Sequence, residues 1–485
     1  MKNPMLEPKD VFQYFAQLNN VPRPSKKEEQ IIEFLKNFGE SLKLETLVDE
    51  AGNVLIKKPA TKGYEACKTV ILQSHMDMVC EKNEAIDFNF MTDAIQTEIE
   101  GEWLRAKGTT LGADDGIGVA MEMALLASKT IEHGPIECVF TRDEETGLSG
   151  AEAMKSDFMT GDYLLNLDSE DEGQLFVSCA GGCKTEARFI CTFETAPVDY
   201  FFFQVQIKGL MGGHSGDDIQ KQRGNANKIL ARFLYMSLQK YDLRLVDIQS
   251  GGLHNAIPRE GYAICALPMK DKEAIRIDFN LFAAEVEEEF QATEKSMKFV
   301  LESCNAQKTV IVKSISNRLI TALQALFNGV YAMSQDLTWL VETSSNLASV
   351  RLESNIIRVI TSQRSSLLSA RKNISATIRS TFELAGAEVE TGEGYPGWKM
   401  NPTSEILKIA ATSYRNLFGK EPKILAIHAG LECGLFSEKY PTLDMISFGP
   451  TLRGVHSPDE RLLIPTVKMV WDHLIDILKN IPLKN

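Results

Sequence analysis

Residues that can bind metal ions stand directly after several short apolar runs of this 485-residue chain. Three of the runs end in the sequences QSHMD, TRDEET and LNLDSED, which contain a histidine and several carboxylates. A further apolar run, Met445 to Phe448, leads into GPTLRGVHSPDE, which adds a second histidine. The residues at these places are His75, Asp77, Glu144, Glu145, Asp168 and His456. Imidazole and carboxylate ligands in this combination suit zinc, cobalt or manganese.

The spacing of these residues adds chemical detail. His75 and Asp77 are two residues apart on an expected strand, so both side chains leave the same face of it. A carboxylate in that position can orient an imidazole that binds a metal ion. Glu144 and Glu145 are adjacent, so their side chains point in different directions. One of the two can therefore bind metal while the other faces a substrate.

A glycine-rich turn supplies another pair of acidic residues. The sequence GTTLGADDGIG places Asp114 and Asp115 just before an expected helix, Ile117 to Ser128. The turn lacks the three-glycine spacing of a nucleotide-binding loop, and its two carboxylates would repel phosphate. A bridging aspartate, with one histidine and one carboxylate for each of two metal ions, would leave room for a hydroxide between them.

Each of these patterns also has an ordinary structural explanation. His75 could be a buried core histidine, and Asp114 with Asp115 could belong to a solvated turn at a helix N-terminus. Glu144 and Glu145 could be a solvated surface pair. What favours a shared site is that the polar clusters follow successive strands, because sites in α/β sheets form outside the carboxyl ends of the strands.

The elements that must position these residues follow from periodicity. Ser25 and Glu28 have the spacing of a capping box before a helix, and apolar runs alternate with helical patterns up to residue 183. This alternation predicts an α/β sheet. Residues 184–396 differ, because the order helix, strand, strand, helix occurs twice there. We therefore expect a catalytic domain formed by residues 1–183 and 397–485, with an inserted α+β domain that contains a duplicated unit.

Composition restricts the partners of the chain. The net charge of −14 argues against nucleic acid as a partner, because phosphate binding needs clustered Lys and Arg. No apolar run approaches the roughly 20 residues that cross a bilayer, so no membrane association is expected. The first residues lack the apolar core of a secretory signal, and nine cysteines do not suggest a disulfide framework. These features predict a cytoplasmic protein.

The order of motifs along nearly the whole chain resembles the aminoacyl-histidine dipeptidases, two-zinc enzymes related to carnosinase and aminoacylase. The motifs that carry the resemblance are QSHMDMVCEKN, GTTLGADDGIG, TRDEETGLSGA, NLDSEDEG, CAGG, GGHSG, GNANK, GGLHNAIPRE, HAGLECGLF and GPTLRGVHSPDE. The resemblance implies a zinc-peptidase catalytic domain, in which helices flank a mixed sheet, and an inserted lid domain.

The resemblance also implies a ligand set for two zinc ions per chain, with cobalt or manganese as possible replacements. His75 and Asp168 would bind one ion. Glu145 and His456 would bind the other, and Asp114 would bridge the two.

Two further roles in the catalytic domain follow from the same resemblance. Glu144 would be the general acid and base, and Asp77 would orient His75. The implied reaction is attack of a metal-bridged hydroxide on the carbonyl carbon of a dipeptide, with Xaa-His dipeptides such as carnosine as substrates.

Four substrate-binding residues are expected. His214 in GGHSG could donate to the carbonyl oxygen as negative charge develops there, and Asn255 in HNAIP could hold that oxygen or the substrate carboxylate. Arg364 in SQRSS could bind the C-terminal carboxylate with its planar guanidinium. Glu432 in HAGLECG could meet the substrate amino group.

Two other interpretations stay open at this point. The chain could be an acylamino-acid hydrolase or a tripeptidase with the same metals. It could also be a metal-dependent binding protein that has lost catalysis, although Glu144 beside a complete ligand set argues against this. A homodimer is possible in either case.

Overall fold

The computed structural model describes residues 6–335 and 337–484, and the chain divides into two compact units. The first unit comprises the chain up to Ser178 together with Trp398–Ala426 and the stretch from Leu431 onward. The second comprises Cys179–Gly397 and the short segment Ile427–Gly430. Within the described ranges, none of the helices has the length and apolar character needed to cross a bilayer.

A mixed eight-stranded sheet lies at the centre of the first unit. Its middle strands run parallel to one another, and antiparallel strands flank them on both sides. Parallel strands are covered on both faces, which explains why the three apolar runs of the sequence are buried along their whole length. Across the sheet the strands are Glu45–Val48, Val54–Lys58, Ile136–Thr141, Val70–His75, Tyr163–Asn166, Asp444–Ser447, Gln174–Cys179 and Lys423–Ile427.

Helices of the first unit pack around this sheet. The helix Ala113–Ala127 is buried from Asp115 to Leu126, because its sequence is apolar on nearly every side. A small sheet is formed by Thr97–Glu100, Trp103–Ala106, Leu452–Arg453 and Arg461–Leu463. The other helices are Lys9–Leu18, Glu29–Ser41, Glu144–Gly147, Ser149–Ala153, Glu405–Phe418, Glu432–Lys439 and Ile464–Lys479.

The expected capping box at Ser25 and Glu28 is wrong. The helix does begin there, but neither side chain caps it. Ser25 donates its hydroxyl to Oδ2 of Asp77 at 2.7 Å, and Glu28 accepts from the guanidinium of Arg142 at 2.9 Å. Both side chains are thus held by partners that lie far away along the chain.

The second unit contains one large antiparallel sheet covered by helices. Its helices are Ala226–Lys240, Lys272–Phe290, Lys313–Ala325 and Leu368–Leu384, with short 3-10 turns at Ile219–Lys221 and Met269–Asp271. Across the sheet the strands are Lys298–Ser303, Tyr200–Lys208, Gly261–Pro268, Arg244–Gly251, Val341–Glu353, Ile356–Ser365, Gly181–Ile190 and Glu388–Thr391, and Gly329–Met333 pairs beside Val341–Glu353. Two strand pairs lie outside this sheet, Phe193–Thr195 with Thr309–Ile311 and Gly213–His214 with Ala256–Ile257.

The large sheet consists of two halves with the same order of elements. In each half a helix precedes two antiparallel strands and a second helix follows them. The halves meet where Arg244–Gly251 pairs with Val341–Glu353, with Ser250 opposite Val350. This is the repeated helix, strand, strand, helix order that the sequence predicts.

Candidate metal centre and active site

Parallel strands of the first unit bring the predicted site residues to one edge of the sheet. His75 is the last residue of Val70–His75, and Asp168 follows the end of Tyr163–Asn166. Glu144 begins a short helix soon after Ile136–Thr141. Because the carboxyl ends of parallel strands meet at the same edge, these residues come together although they are far apart in sequence.

Asp114 lies between the two histidines of this edge. Its Oδ1 is 3.2 Å from Nε2 of His75, and its Oδ2 is 3.2 Å from Nε2 of His456. His75 Nε2 is also 3.7 Å from Oδ1 of Asp168, while His456 Nε2 is 2.9 Å from Oε2 of Glu145. The five expected ligands therefore form two groups, each with one histidine and one carboxylate, and the groups share Asp114.

Asp114 has this position because the backbone around it is not yet helical. Gly112 precedes the helix with a left-handed φ of 65°, a conformation that glycine adopts without steric cost. Asp114 has φ −82° and ψ 111°, and the peptide bond that joins it to Asp115 is cis. The glycine-rich turn thus allows Asp114 to face the sheet edge.

The chemistry of this donor set fits divalent cations. In the described part of the chain, the ion pairs of Asp114, Glu145 and Asp168 involve only histidines. Hydrogen bonds to Asp114 and Glu145 raise the pKa of His456 to about 11, so the cluster favours positive charge. Glu145 also keeps a buried oxygen, Oε1, without a hydrogen-bond partner. Two imidazoles and three carboxylates suit ions such as zinc, cobalt or manganese.

Asp77 supports this cluster from behind. It is fully buried, and its Oδ1 is 3.4 Å from Nδ1 of His75, on the side of the ring opposite Asp114. Its carboxylate also accepts hydrogen bonds from the backbone N–H groups of Glu144 and Glu145, at 3.0 and 3.3 Å. Asp77 therefore contacts both the imidazole of His75 and the start of the helix that carries the two glutamates.

Two glutamates with raised pKa values, Glu144 and the buried Glu432, lie beside the cluster. Burial, together with the negative charge of Glu145 and other neighbouring acids, raises the pKa of Glu144 well above its usual range. Glu432 is fully buried and accepts hydrogen bonds from Nε2 of Gln73 at 2.6 Å and from Oγ1 of Thr141 at 2.7 Å. Burial raises the pKa of Glu432 to about 7, and its Oε1 has no hydrogen-bond partner. A side chain held in this way has one oxygen free for a cationic or neutral donor.

Asp115 does not join the ligand set. Its side chain is buried behind Asp114, where burial and the charge of Asp114 raise its pKa well above the usual range. Glu122 lies on the same helix and is also fully buried, and burial raises its pKa in the same direction. Burial therefore disfavours the charged form of both carboxyl groups.

The expected substrate-binding residues of the second unit form a cluster of their own. Nη2 of Arg364 is 3.4 Å from Nε2 of His214, although Arg364 lies on a strand of the large sheet and His214 lies in a strand pair outside it. The strand pair Gly213–His214 with Ala256–Ile257 aligns His214 with Ala256, so the exposed Asn255 stands next to it. His214 and Asn255 thus lie on neighbouring backbone, and Arg364 reaches His214 through its side chain.

Sequence reasoning did not find Tyr395, which holds Arg364 in place. The hydroxyl of Tyr395 accepts a hydrogen bond from Nη1 of Arg364 at 3.0 Å. Its ring packs against Gly182 and Gly430, where an added Cβ would lie within 2.8 Å of ring or hydroxyl atoms. The glycines of the CAGG and HAGL motifs were a signal for this close approach, since only glycine leaves room for the ring.

His428 also belongs to this cluster. It is buried, and its Nε2 is 2.8 Å from the hydroxyl of Ser344. Burial and the positive charge of Arg364 lower the pKa of His428 to about 3, so the ring is neutral at physiological pH. A neutral imidazole adds no positive charge beside Arg364.

Comparison with known proteins agrees with this arrangement. The chain is 39% identical over 479 residues to the cytosol non-specific dipeptidase of Escherichia coli K12, with 99% of each chain covered. The structure matches that of the aminoacylhistidine dipeptidase from Vibrio alginolyticus with a TM-score of 0.93 and 43% identity, over 99% of this chain and 98% of that one.

A more distant match concerns the fold alone. The structure of aminopeptidase PepT from Bacillus cereus ATCC 10987 has a TM-score of 0.62 and 17% identity, over 99% of this chain and 100% of that one.

The model of peptidase family M20/M25/M40 matches residues 71–480, which include every expected metal ligand. The chain belongs to this peptidase family.

Proposed function

We propose that this chain hydrolyses dipeptides at a centre of two zinc ions, for which cobalt or manganese could substitute. The single observation that supports this best is Asp114, whose two oxygens face two different histidines, each with its own second carboxylate. Two relatives that align with this chain over 98% or more of both chains are named dipeptidases. Xaa-His dipeptides such as carnosine are the substrates that we expect first.

In this proposal, residues of the first unit hold the metal ions and transfer the proton. Two such ions supply an acidified water and polarise the substrate carbonyl when they are bound. Glu144 accepts a proton from that water and passes it to the leaving amine. Its raised pKa suits this transfer, since a group that both accepts and donates a proton works best when its pKa is close to the ambient pH. Asp77 keeps the imidazole of His75 in one orientation.

Substrate recognition is proposed for four other residues. Arg364 binds the C-terminal carboxylate of the substrate, which would limit cleavage to short peptides. His214 and Asn255 donate to the carbonyl oxygen or the carboxylate. Glu432 receives the substrate amino group at its unpartnered oxygen. Support for Arg364 comes from its burial, because a buried guanidinium fixed by one hydroxyl is prepared for a carboxylate.

Two competing functions make different predictions. An acylamino-acid hydrolase would cleave substrates whose amino group is blocked, and a tripeptidase would prefer one more residue. The buried free oxygen of Glu432 favours a substrate with a free amino group. A binding protein without catalysis would retain metal and ligand but release no product. A cytoplasmic location and a homodimer stay predictions.

The experiment that tests this function is a substrate panel on metal-reconstituted protein. The panel contains carnosine, Gly-His, Ala-Ala, a tripeptide and an N-acetyl amino acid, with metal content measured on the same sample. We expect two metal equivalents per chain and fastest turnover of the dipeptides. Turnover of the N-acetyl compound alone would support the acylase alternative, and no turnover at all would support the binding protein.

A further inference from the structure

Glu460, at the end of the HSPDE motif, directs its carboxylate into the loop that carries Asp114. The side chain is buried, with 2% exposure. Its Oε2 accepts hydrogen bonds from the backbone N–H groups of Leu111 at 2.8 Å and Gly112 at 3.0 Å. Its Oε1 accepts from those of Ala113 at 2.7 Å and Asp114 at 3.3 Å. One side chain therefore satisfies the N–H groups of consecutive residues up to and including Asp114.

These backbone groups depend on a partner from outside the loop. Gly112 is the N-cap of the following helix, yet no side chain within the loop caps that helix. Buried N–H groups without acceptors cost free energy comparable to a lost hydrogen bond each. The opposite side of the loop is also held, because Nη2 of the buried Arg23 donates to the carbonyl oxygen of Gly112 at 2.7 Å.

Glu460 is itself anchored in the segment that contains His456. It directly precedes the strand Arg461–Leu463, in which Leu462 pairs with Leu104. Its own N–H donates to the carbonyl oxygen of Ser457 at 3.0 Å, so the turn after His456 is closed. The hydrogen bonds of Glu460 thus connect the backbone that presents His456 with the backbone that presents Asp114.

We propose that Glu460 is a positioning residue of the metal centre, which sets the place of Asp114 relative to His456. This inference rests on the proposed function only in that Asp114 is taken as a ligand shared by two ions. A bridging carboxylate must hold its place within about 0.5 Å to serve both ions. Loosening of its loop should therefore weaken both metal equivalents together.

The test compares three variants of the full chain. Glu460→Gln keeps the shape but places an NH₂ group against N–H donors, and Glu460→Asp keeps the charge with a shorter reach. Asp459→Asn is the matched control, because it removes the same charge from an exposed neighbouring residue. Zn²⁺ affinity and stoichiometry are measured by competition with a chromophoric chelator, at a temperature at which circular dichroism shows each variant folded. Thermal midpoints are measured with and without Zn²⁺.

We expect Glu460→Gln to bind both Zn²⁺ equivalents about 10- to 100-fold more weakly, the usual effect of removing a residue that supports metal ligands. The rise in thermal midpoint that Zn²⁺ produces should shrink accordingly. Glu460→Asp should fall in between, and Asp459→Asn should stay within about twofold of wild type. Equal losses of thermal midpoint with and without Zn²⁺, at unchanged affinity, would show a purely structural role and overturn the proposal.

Three further outcomes each have a defined interpretation. If Glu460→Gln does not fold, Glu460→Asp decides, together with hydrogen exchange of the peptide that spans residues 109–118. Faster exchange there with weaker Zn²⁺ binding supports the proposal, and wild-type exchange and affinity reject it. If the wild-type chain binds no Zn²⁺, the proposed metal centre fails. If the wild type binds Zn²⁺ and Glu460→Gln binds it equally well, only the role of Glu460 fails.

Discussion

The backbone N–H of Glu144 donates a hydrogen bond to Oδ1 of Asp77 at 3.0 Å, so the residue behind His75 also holds the start of the helix that carries Glu144. Asp77→Ala would leave that N–H without its acceptor and would leave the hydroxyl of Ser25 only the carbonyl oxygen of Met78 at 3.4 Å. We expect metal affinity and kcat/KM each to fall about 10- to 100-fold, as is usual for residues that orient metal ligands.

The control for this prediction is Ser25→Ala, which removes one of the hydrogen bonds of Asp77 and leaves the others. Metal titration and dipeptide hydrolysis are measured on both variants. Ser25→Ala should change either quantity less than about threefold. An Asp77→Ala protein that binds metal as tightly as the wild type would show that His75 needs no such support.

The second prediction separates proton transfer from metal binding. Glu144→Gln keeps the size of the side chain but cannot take up a proton, so dipeptide hydrolysis should fall roughly 10²- to 10⁴-fold. The metal content should not change, since the ligand expected on this helix is Glu145. Elemental analysis and turnover are measured on the same sample. Near-normal turnover of Glu144→Gln would mean that another group carries the proton.

The sequence predicts the edge of the first sheet well because that pattern is local. His75 and Asp168 stand directly after apolar runs, and the direction of a buried parallel strand determines where the next residues lie. Residue type and strand order were sufficient to bring these residues to one edge. The division of the ligands into two groups around Asp114 is what the family resemblance implies, and the distances of Asp114 to His75 and His456 agree with it.

Contacts made over long sequence distances could not be predicted in the same way. Ser25 and Glu28 have the spacing of a capping box, but Ser25 bonds to Asp77 and Glu28 bonds to Arg142 instead. Tyr395 approaches Arg364 from a loop that has no polar pattern of its own. Glu460 bonds to backbone N–H groups, which nearly every residue has, so the types of its partner residues give no sign of the contact.

The third prediction concerns recognition of the substrate carboxylate. Tyr395→Phe removes the hydroxyl that accepts from Nη1 of Arg364, so the guanidinium becomes more mobile. We expect KM for a free dipeptide to rise about threefold to tenfold, with kcat little changed, since one hydrogen bond to a charged group is lost. Arg364→Ala should raise this KM further.

Dipeptide amides provide the test, because they lack the carboxylate that Arg364 is proposed to bind. KM for an amide should respond little to either change. Tyr262→Phe is the control, since it removes a hydroxyl elsewhere in the same unit, where the partner is Asp247. Equal changes of KM for the acid and the amide would remove the carboxylate-binding role from Arg364.

The last prediction concerns stability and pH. His473 is 3% exposed, its ring lies between those of Tyr414 and Phe448, and its Nε2 donates to the carbonyl oxygen of Ala410 at 2.8 Å. Burial lowers the pKa of His473 from 6.5 to about 4. The unfolded chain therefore takes up this proton at a higher pH than the folded chain does, so the unfolded state is stabilised relative to the folded state as the pH falls.

The stability that neutral His473 provides is complete above pH 6.5 and is lost as the pH falls to about 4. The loss amounts to at most about 3 kcal/mol in the free energy of unfolding. His473→Phe keeps the ring but cannot bind a proton. It should be less stable than the wild type at pH 7, because the hydrogen bond to Ala410 is missing. This difference in the free energy of unfolding should become smaller as the pH falls. Urea unfolding of both proteins in chelator at pH 7, 5.5 and 4.5 measures this difference. A constant difference across these pH values would mean that His473 does not contribute to acid unfolding.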